Sequence, residues 1–256
     1  TYAHIDGGIE DPGYLTDITK TAKILKSNVG GLTQLLTSIT GEIVFDYYSS
    51  YPEFRVNTEG INVDVFETGS IKFYSVTNTS TGLIDGYILS ENEIFANGTC
   101  YQLFNFCTNL LNIVFNNFNT ENVGTMASMF YNGSLLTKLD LSSFDTINVV
   151  KTNYMFDYCK KLITIGVDKD KWNMDNVTYS YNMFYKCEKL AGGAGTKYNS
   201  SYLDVTYARI DDPDNGKPGY LTDITKTSQV LQSYSGGLSE HLTNKGAKYT
   251  KSHQAE

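Results

Sequence analysis

Apolar residues return along this chain at two periods. A pair of large apolar side chains recurs as Leu103-Phe104, Met129-Phe130, Met155-Phe156 and Met183-Phe184, with the phenylalanines 26, 26 and 28 residues apart. Three residues after each Phe stand Cys107, Gly133, Cys159 and Cys187, and three further on Leu110, Leu136, Leu162 and Leu190. Ile113, Leu139 and Ile165 keep step, as do Phe115, Leu141 and Val167, then Phe118, Phe144 and Trp172. A period of about 20–29 residues with apolar residues at fixed places predicts a leucine-rich-repeat-like solenoid, because stacking then sets like side chains over like. Leu136, Leu139 and Leu141 have the spacing of a short strand, and Met155, Phe156, Cys159 and Leu162 that of one short helical turn. Asn, Asp and Thr fill the places between, where their side chains satisfy turn backbone.

The longer period joins the ends. Thr1–Thr21 (TYAHIDGGIEDPGYLTDITKT) returns as Thr206–Thr227 (TYARIDDPDNGKPGYLTDITKT), and the decamer PGYLTDITKT is identical in both. The chain therefore reads as one unit and the start of a second, from a longer tandem-repeat polypeptide in which any leader or anchor lies elsewhere.

The flanks carry other patterns. Asp17 to Lys26 places Ile18, Ala22 and Leu25 at helical spacing and predicts a short helix ended near Gly30-Gly31. From Glu42 to Leu89, runs such as EIVFDYY, EFRVN, INVDVFE, SIKFYSV and GYILS alternate and are rich in strand-favouring residues. They predict a small antiparallel β region capping the first repeat, with Arg55 and Lys72 facing seven acidic residues. The expected fold class is α+β and β-rich: a solenoid with a short strand and a short helical turn per repeat of 26 residues, behind an N-terminal β-rich cap. The expected divisions are 1–37, an inter-unit segment with a short helix; 38–90, the cap; 91–200, the solenoid of three to four repeats; and 201–256, the second inter-unit segment and a frayed tail.

One repeat, LTKLDLSSFDTINVVKTNYMFDYCKKL, has the pattern LxxLDLSxFDTxNVxxxxxMFxxCxxL. It resembles the BspA-like leucine-rich-repeat family of bacterial surface proteins, which also occurs in some parasitic protists. The resemblance covers Ile94 to Leu190 and runs on into AGGAGTKYNSSYLDVTYARIDDPDNGKPGYLTDI. Thr152 and Ser180 depart from the Met found three residues before the MF pair, as at Met126, and Gly133 takes the place of a Cys. The resemblance implies adhesion to host or matrix proteins, or to other microbes.

Composition narrows the function. Hydrophobic residues make up 41% of the 256 residues and charged ones only 19%, with Asn, Ser, Thr and Gly in place of charge and 20 Tyr against a single Trp. A net charge of −8 argues against a nucleic-acid partner, since gripping phosphates needs a basic face. No run approaches the roughly 18 apolar residues of a spanning helix. Together these point outside the cell, to a secreted or cell-surface protein.

Candidate chemistry is sparse. Cys107, Cys159 and Cys187 share a repeat position; a Cys159–Cys187 disulfide lies within reach, but Gly133 in the same column points to small buried packing residues. No CxxC or nearby His suggests zinc. The histidines His4, His241 and His253 all lie outside the repeats, and His4 and His241 correspond to Arg209 and Leu35 in the other copy, so neither is kept as a catalytic base. Asp140, Asp145 and Asp157 read as solvated turn residues rather than paired catalytic carboxylates. The run Asp211-Asp212-Pro213-Asp214-Asn215-Gly216 reads as an acidic turn, with calcium binding the sharper alternative. Sequons at Asn78, Asn97, Asn132, Asn176 and Asn199 are what so much Asn, Ser and Thr generates by chance. The expectation is no catalytic, metal or cofactor site, and no enzyme; a glycan-acting enzyme would need a carboxylate cleft that the sequence does not mark. A non-enzymatic adhesion module is expected, taking protein or glycan ligands on host or neighbouring cells through an extended surface rich in Tyr, Asn and Thr. The alternative is a structural spacer or filament subunit whose partners are adjacent copies of itself.

Overall fold

A computed structural model describes residues 2–3, 16–17, 24–27, 31–54 and 60–225. The elements in chain order are β1 (Tyr2–Ala3), β2 (Thr16–Asp17), α1 (Leu32–Leu36), β3 (Glu42–Tyr47), β4 (Ile61–Asn62), β5 (Ile71–Thr77), β6 (Ile84–Ser90), β7 (Asn112–Phe115), β8 (Lys138–Asp140), β9 (Thr164–Val167) and β10 (Leu221–Asp223). The helix expected over Asp17–Lys26 is absent where it can be judged. Asp17 lies in a strand, Ile24 bridges Phe95 and Leu25 bridges Asp64, while residues 18–23 lie outside the described residues. The helix that does form, α1, follows a left-handed Gly31 (φ 82°) and buries Leu32 and Leu36, one turn apart on one face. Thr33 Oγ1 donates to the carbonyls of Gln102 and Leu103 and so ties α1 to the first repeat.

The region before the repeats is β-rich but not purely antiparallel. Its five-stranded sheet has the order β4-β5-β6-β3-β7, with β3 parallel to both β6 and β7. β3 lies between two parallel neighbours and is buried from Ile43 to Asp46, in keeping with the burial usual for parallel strands. β5 and β6 form the hairpin that the TSTG turn predicts, with Asn78 Oδ1 accepting from Ser80 N and Thr81 N and Gly82 in the left-handed region.

The expected fold class is overturned in the repeats themselves. The strands of the repeats fall into two separate sheets, the described residues hold almost no helix, and no repeat contains a helical turn. The reason lies in the backbone. Gln102 and Phe106, Ser128 and Asn132, Tyr154 and Tyr158, and Asn182 and Lys186 all have positive φ, 53–62°, two residues either side of each repeated Phe. Residues of opposite hand this close cannot propagate a helix. The main-chain donors alternate instead. Gln102, Phe104 and Phe106 donate to the carbonyls of Ala127, Met129 and Tyr131 in the next repeat, while Leu103, Asn105 and Cys107 donate three residues back. The same alternation joins Ser128, Phe130 and Asn132 to Asn153, Met155 and Asp157, and Tyr154, Phe156 and Tyr158 to Tyr181, Met183 and Tyr185. Each repeat is thus bonded to the next through an irregular ribbon in which alternate N–H groups point out of their own repeat.

The strand side is discontinuous. β7 is paired into the five-stranded sheet, whereas β8, β9 and β10 form a separate parallel sheet in the order β10-β9-β8. Among the described residues β7 and β8 lie side by side unpaired, so no continuous wall of strands runs through the repeats.

The core follows the apolar columns. Phe104, Phe130, Phe156 and Phe184 are buried and stack with ring centroids 5.4, 5.6 and 5.6 Å apart. Phe45 of β3 meets one end of this stack edge-on, and Tyr220 beside β10 meets the other. Between the stacked turns, the Thr120 hydroxyl donates to Asp145 O and accepts from Asp145 N, and Thr146 does the same with Asn173. Asn148 and Asn176 reach back to the carbonyls of Glu121 and Ile147.

Candidate binding surface

The hydrogen-bonded ribbon buries each Phe and turns its neighbours outward. Phe106, Tyr131, Tyr158 and Tyr185 meet across successive repeats, with centroids 5.2, 6.1 and 5.7 Å apart, as a ladder on the outer face. Phe106 is 53% exposed, and the three tyrosines are half-buried. Beside it, Tyr154 meets Tyr181 edge-on at 4.8 Å, and Tyr181 and Tyr179 are more than half exposed. Lysines lie over these rings: Lys160 Nζ is 5.2 Å from the centroid of Tyr158, Lys186 Nζ 5.5 Å from Tyr185 and Lys151 Nζ 5.7 Å from Tyr179. A hydrogen bond to Glu188 raises the Lys186 pKa and keeps that ammonium charged. The sequence columns hid this ladder. Its members alternate between two and one residues after the stacked Phe, so their spacing of 25, 27 and 27 never falls in one repeat position.

On the strand side, a groove of about 280 Å³ follows the seam between β7 and β8, with Asn112, Asn116, Lys138 and Asp140 among its polar lining. Asn112 already donates to Glu42, Asn116 to Asp46, and Asp140 accepts from the Ser142 main chain and hydroxyl. The groove is therefore a seam satisfied from within, and the ladder is the larger outward-facing chemistry.

Residues 98–208 match the family model described as "Mycoplasma protein of unknown function, DUF285". That stretch contains all four core phenylalanines and the whole ladder. Comparison with curated proteins and with solved structures gives no match.

Within residues 98–208 the remaining candidates resolve one by one. All four cysteines are free and buried. Burial pushes the Cys100, Cys107 and Cys159 thiols up to about 12, and raises Cys187 well above its ordinary value. Cys159 and Cys187 Sγ donate to the carbonyls of Phe130 and Phe156, one repeat back. At Gly133, a Cβ would lie 2.8 Å from Leu136 Cδ1, so the leucine fills the space a cysteine takes in other repeats. Asp140 and Asp145 serve as turn caps, Asp145 accepting from Ile147 N. Asp157 is not the solvated turn residue the sequence suggested. It is buried, its Oδ1 has no hydrogen-bond partner, and burial raises its carboxyl to about 6.

The acidic run beyond residue 208 is used internally. Asp211 accepts from Ala194 N, Thr196 N, Thr196 Oγ1 and Gly219 N. Burial raises its carboxyl, but these donors outweigh burial and hold it below its ordinary value. Both Asp212 oxygens accept from Asn215 Nδ2. Among the described residues no group of three or more His, Cys, Asp or Glu side chains could hold a metal. No described helix is long and apolar enough to cross a membrane. His4, His241 and His253 lie outside the described residues, as do Arg55 and the first-copy acidic run Asp6–Asp11.

Proposed function

We propose that the protein is a surface-exposed or secreted binding module that takes protein or glycan ligands of host or neighbouring cells on the aromatic ladder. The observation that carries the reading is the ladder itself: Phe106, Tyr131, Tyr158 and Tyr185 in an unbroken row, flanked by Tyr179, Tyr181 and lysines over the rings. Tyrosine offers a large amphipathic contact at low entropic cost, which suits recognition without catalysis. The ring spacing repeats along the stack, so an extended ligand meets the same chemistry at each step. The resemblance of the repeat to BspA-like surface proteins supports the same assignment and the extracellular location.

The test is surface plasmon resonance of the immobilised chain against extracellular-matrix proteins and surface glycans. Binding that falls at least tenfold in the triple variant Phe106→Ala, Tyr158→Ala, Tyr185→Ala, with an unchanged far-ultraviolet spectrum, is the expected result. Binding indifferent to these substitutions, or none across the panel, would overturn the reading.

A further inference from the structure

The last repeat is closed by the second copy of the duplicated segment. Tyr220 is fully buried with its ring edge-on to Phe184 at 5.2 Å, and its hydroxyl accepts from Asn199 N. Leu221, also buried, lies opposite Ile165 in the parallel pairing of β10 with β9. Ile224 fills the space over Gly166 of β9, where a Cβ would come within 2.8 Å of it. Ala208 is buried, and its carbonyl accepts from the Trp172 indole. Gly219 can carry no side chain, because a Cβ would meet the Arg209 carbonyl oxygen at 2.2 Å. The Asp211 carboxylate gathers the donors named above.

The first copy repeats each of these residues. Ala3, Asp6, Gly13, Tyr14, Leu15 and Ile18 stand where Ala208, Asp211, Gly219, Tyr220, Leu221 and Ile224 stand. The copies differ where the cap faces solvent: at the exposed Arg209, replaced by His4, and in the loop 212–217, whose residues from Pro213 to Lys217 are exposed. Identity thus follows the buried contacts of the cap. The two copies nevertheless pair differently here. Thr222 and Asp223 run parallel to Gly166 and Val167, whereas their counterparts Thr16 and Asp17 run antiparallel to Ala3 and Tyr2.

We propose that residues 1–21 are a capping segment for the last repeat of a second copy of this chain, seating Tyr14 on its Phe184 and Leu15 beside its Ile165. This goes beyond the ligand-binding reading and does not rest on it. The contact is head-to-tail, so copies linked this way form closed rings or open strings. In the intact chain the seat is filled from within, which the high effective concentration of a tethered segment favours.

The experiment uses the full chain. Tyr220→Ala with Leu221→Asp vacates the seat, and sedimentation velocity is expected to show dimers and longer strings where the unsubstituted chain is monomeric. Adding Tyr14→Ala and Leu15→Asp to the same chain is expected to return it to monomers. A folded but monomeric vacated variant would overturn the proposal, and so would association that survives the first-copy substitutions. If the vacated chain loses its β-sheet circular dichroism, a synthetic peptide of residues 1–21 becomes the probe. Recovery with that peptide, and not with one carrying Tyr14→Ala and Leu15→Asp, supports the proposal; any other pattern of recovery defeats it.

Discussion

Phe130 and Phe156 lie ring over ring, with centroids 5.6 Å apart and planes 2° from parallel. Each is fully buried and belongs to a different repeat, so their contact is what one repeat gains from the next. Phe130→Ala removes the contacts to Phe104 and Phe156 together, in a place too tightly bonded to collapse. A loss of about 3–5 kcal/mol is expected, read from urea unfolding. A loss below about 1 kcal/mol would mean the column is not the main support.

The pH dependence of stability separates three carboxyls. The buried Asp157, raised to about 6 against 3.8 unperturbed, binds its proton more tightly folded than unfolded. Its effect is a loss of stability as pH rises from about 4 to 6, worth at most about 3 kcal/mol. Asp157→Asn should flatten the thermal midpoint over that window and raise it at neutral pH. Asp64 and Asp211 act in the opposite sense. Burial raises the Asp64 carboxyl, but donation from the main chains of Thr68 and Ser70 and from the Thr68 hydroxyl outweighs it and leaves the pKa lowered. The stability these two supply is present above about pH 4 and is lost as pH falls below it.

The left-handed positions can be tested singly. Asn182 has φ 53°, which asparagine and glycine tolerate and β-branched residues do not. Asn182→Val should cost about 1–2 kcal/mol, while Asn182→Gly stays within about 0.5 kcal/mol of the parent, both measured by chemical denaturation.

The cysteines should be inert in the folded chain. With burial holding Cys100, Cys107 and Cys159 near 12, hardly any thiolate exists at neutral pH. A disulfide-exchange reagent should label none of the four in the native protein and all four in concentrated guanidinium chloride. Rapid labelling under native conditions would contradict the buried column.

The sequence is most legible where packing is periodic. The columns of Phe, Cys and Leu are buried as their spacing says, because a stacked repeat punishes any change of size in register. The helical turn fails for a related reason: Met155, Phe156, Cys159 and Leu162 point inward at helix-like spacing, but the left-handed Tyr154 just before them and Tyr158 among them leave no mark in the apolar pattern. The β3 strand was legible as a strand and not as a parallel one, since its partner β7 comes from a repeat some 70 residues on. The aromatic ladder escaped because its members alternate between two repeat positions, and Asp157 escaped because burial of a turn residue is decided by its neighbours in space.

The two sides of the repeat stack are fastened unequally between Phe104 and Phe130. On the ribbon side, three main-chain hydrogen bonds from Gln102, Phe104 and Phe106 cross to the next repeat. On the strand side, β7 and β8 face each other across the groove with no pairing. A structure bonded in series along one edge, and along the other only through turns such as the Thr120–Asp145 pair, resists sliding more than bending about the bonded edge. Under tension, flexure should concentrate at this seam, so the five-stranded sheet and the three-stranded sheet can change their mutual tilt while the aromatic ladder keeps its spacing.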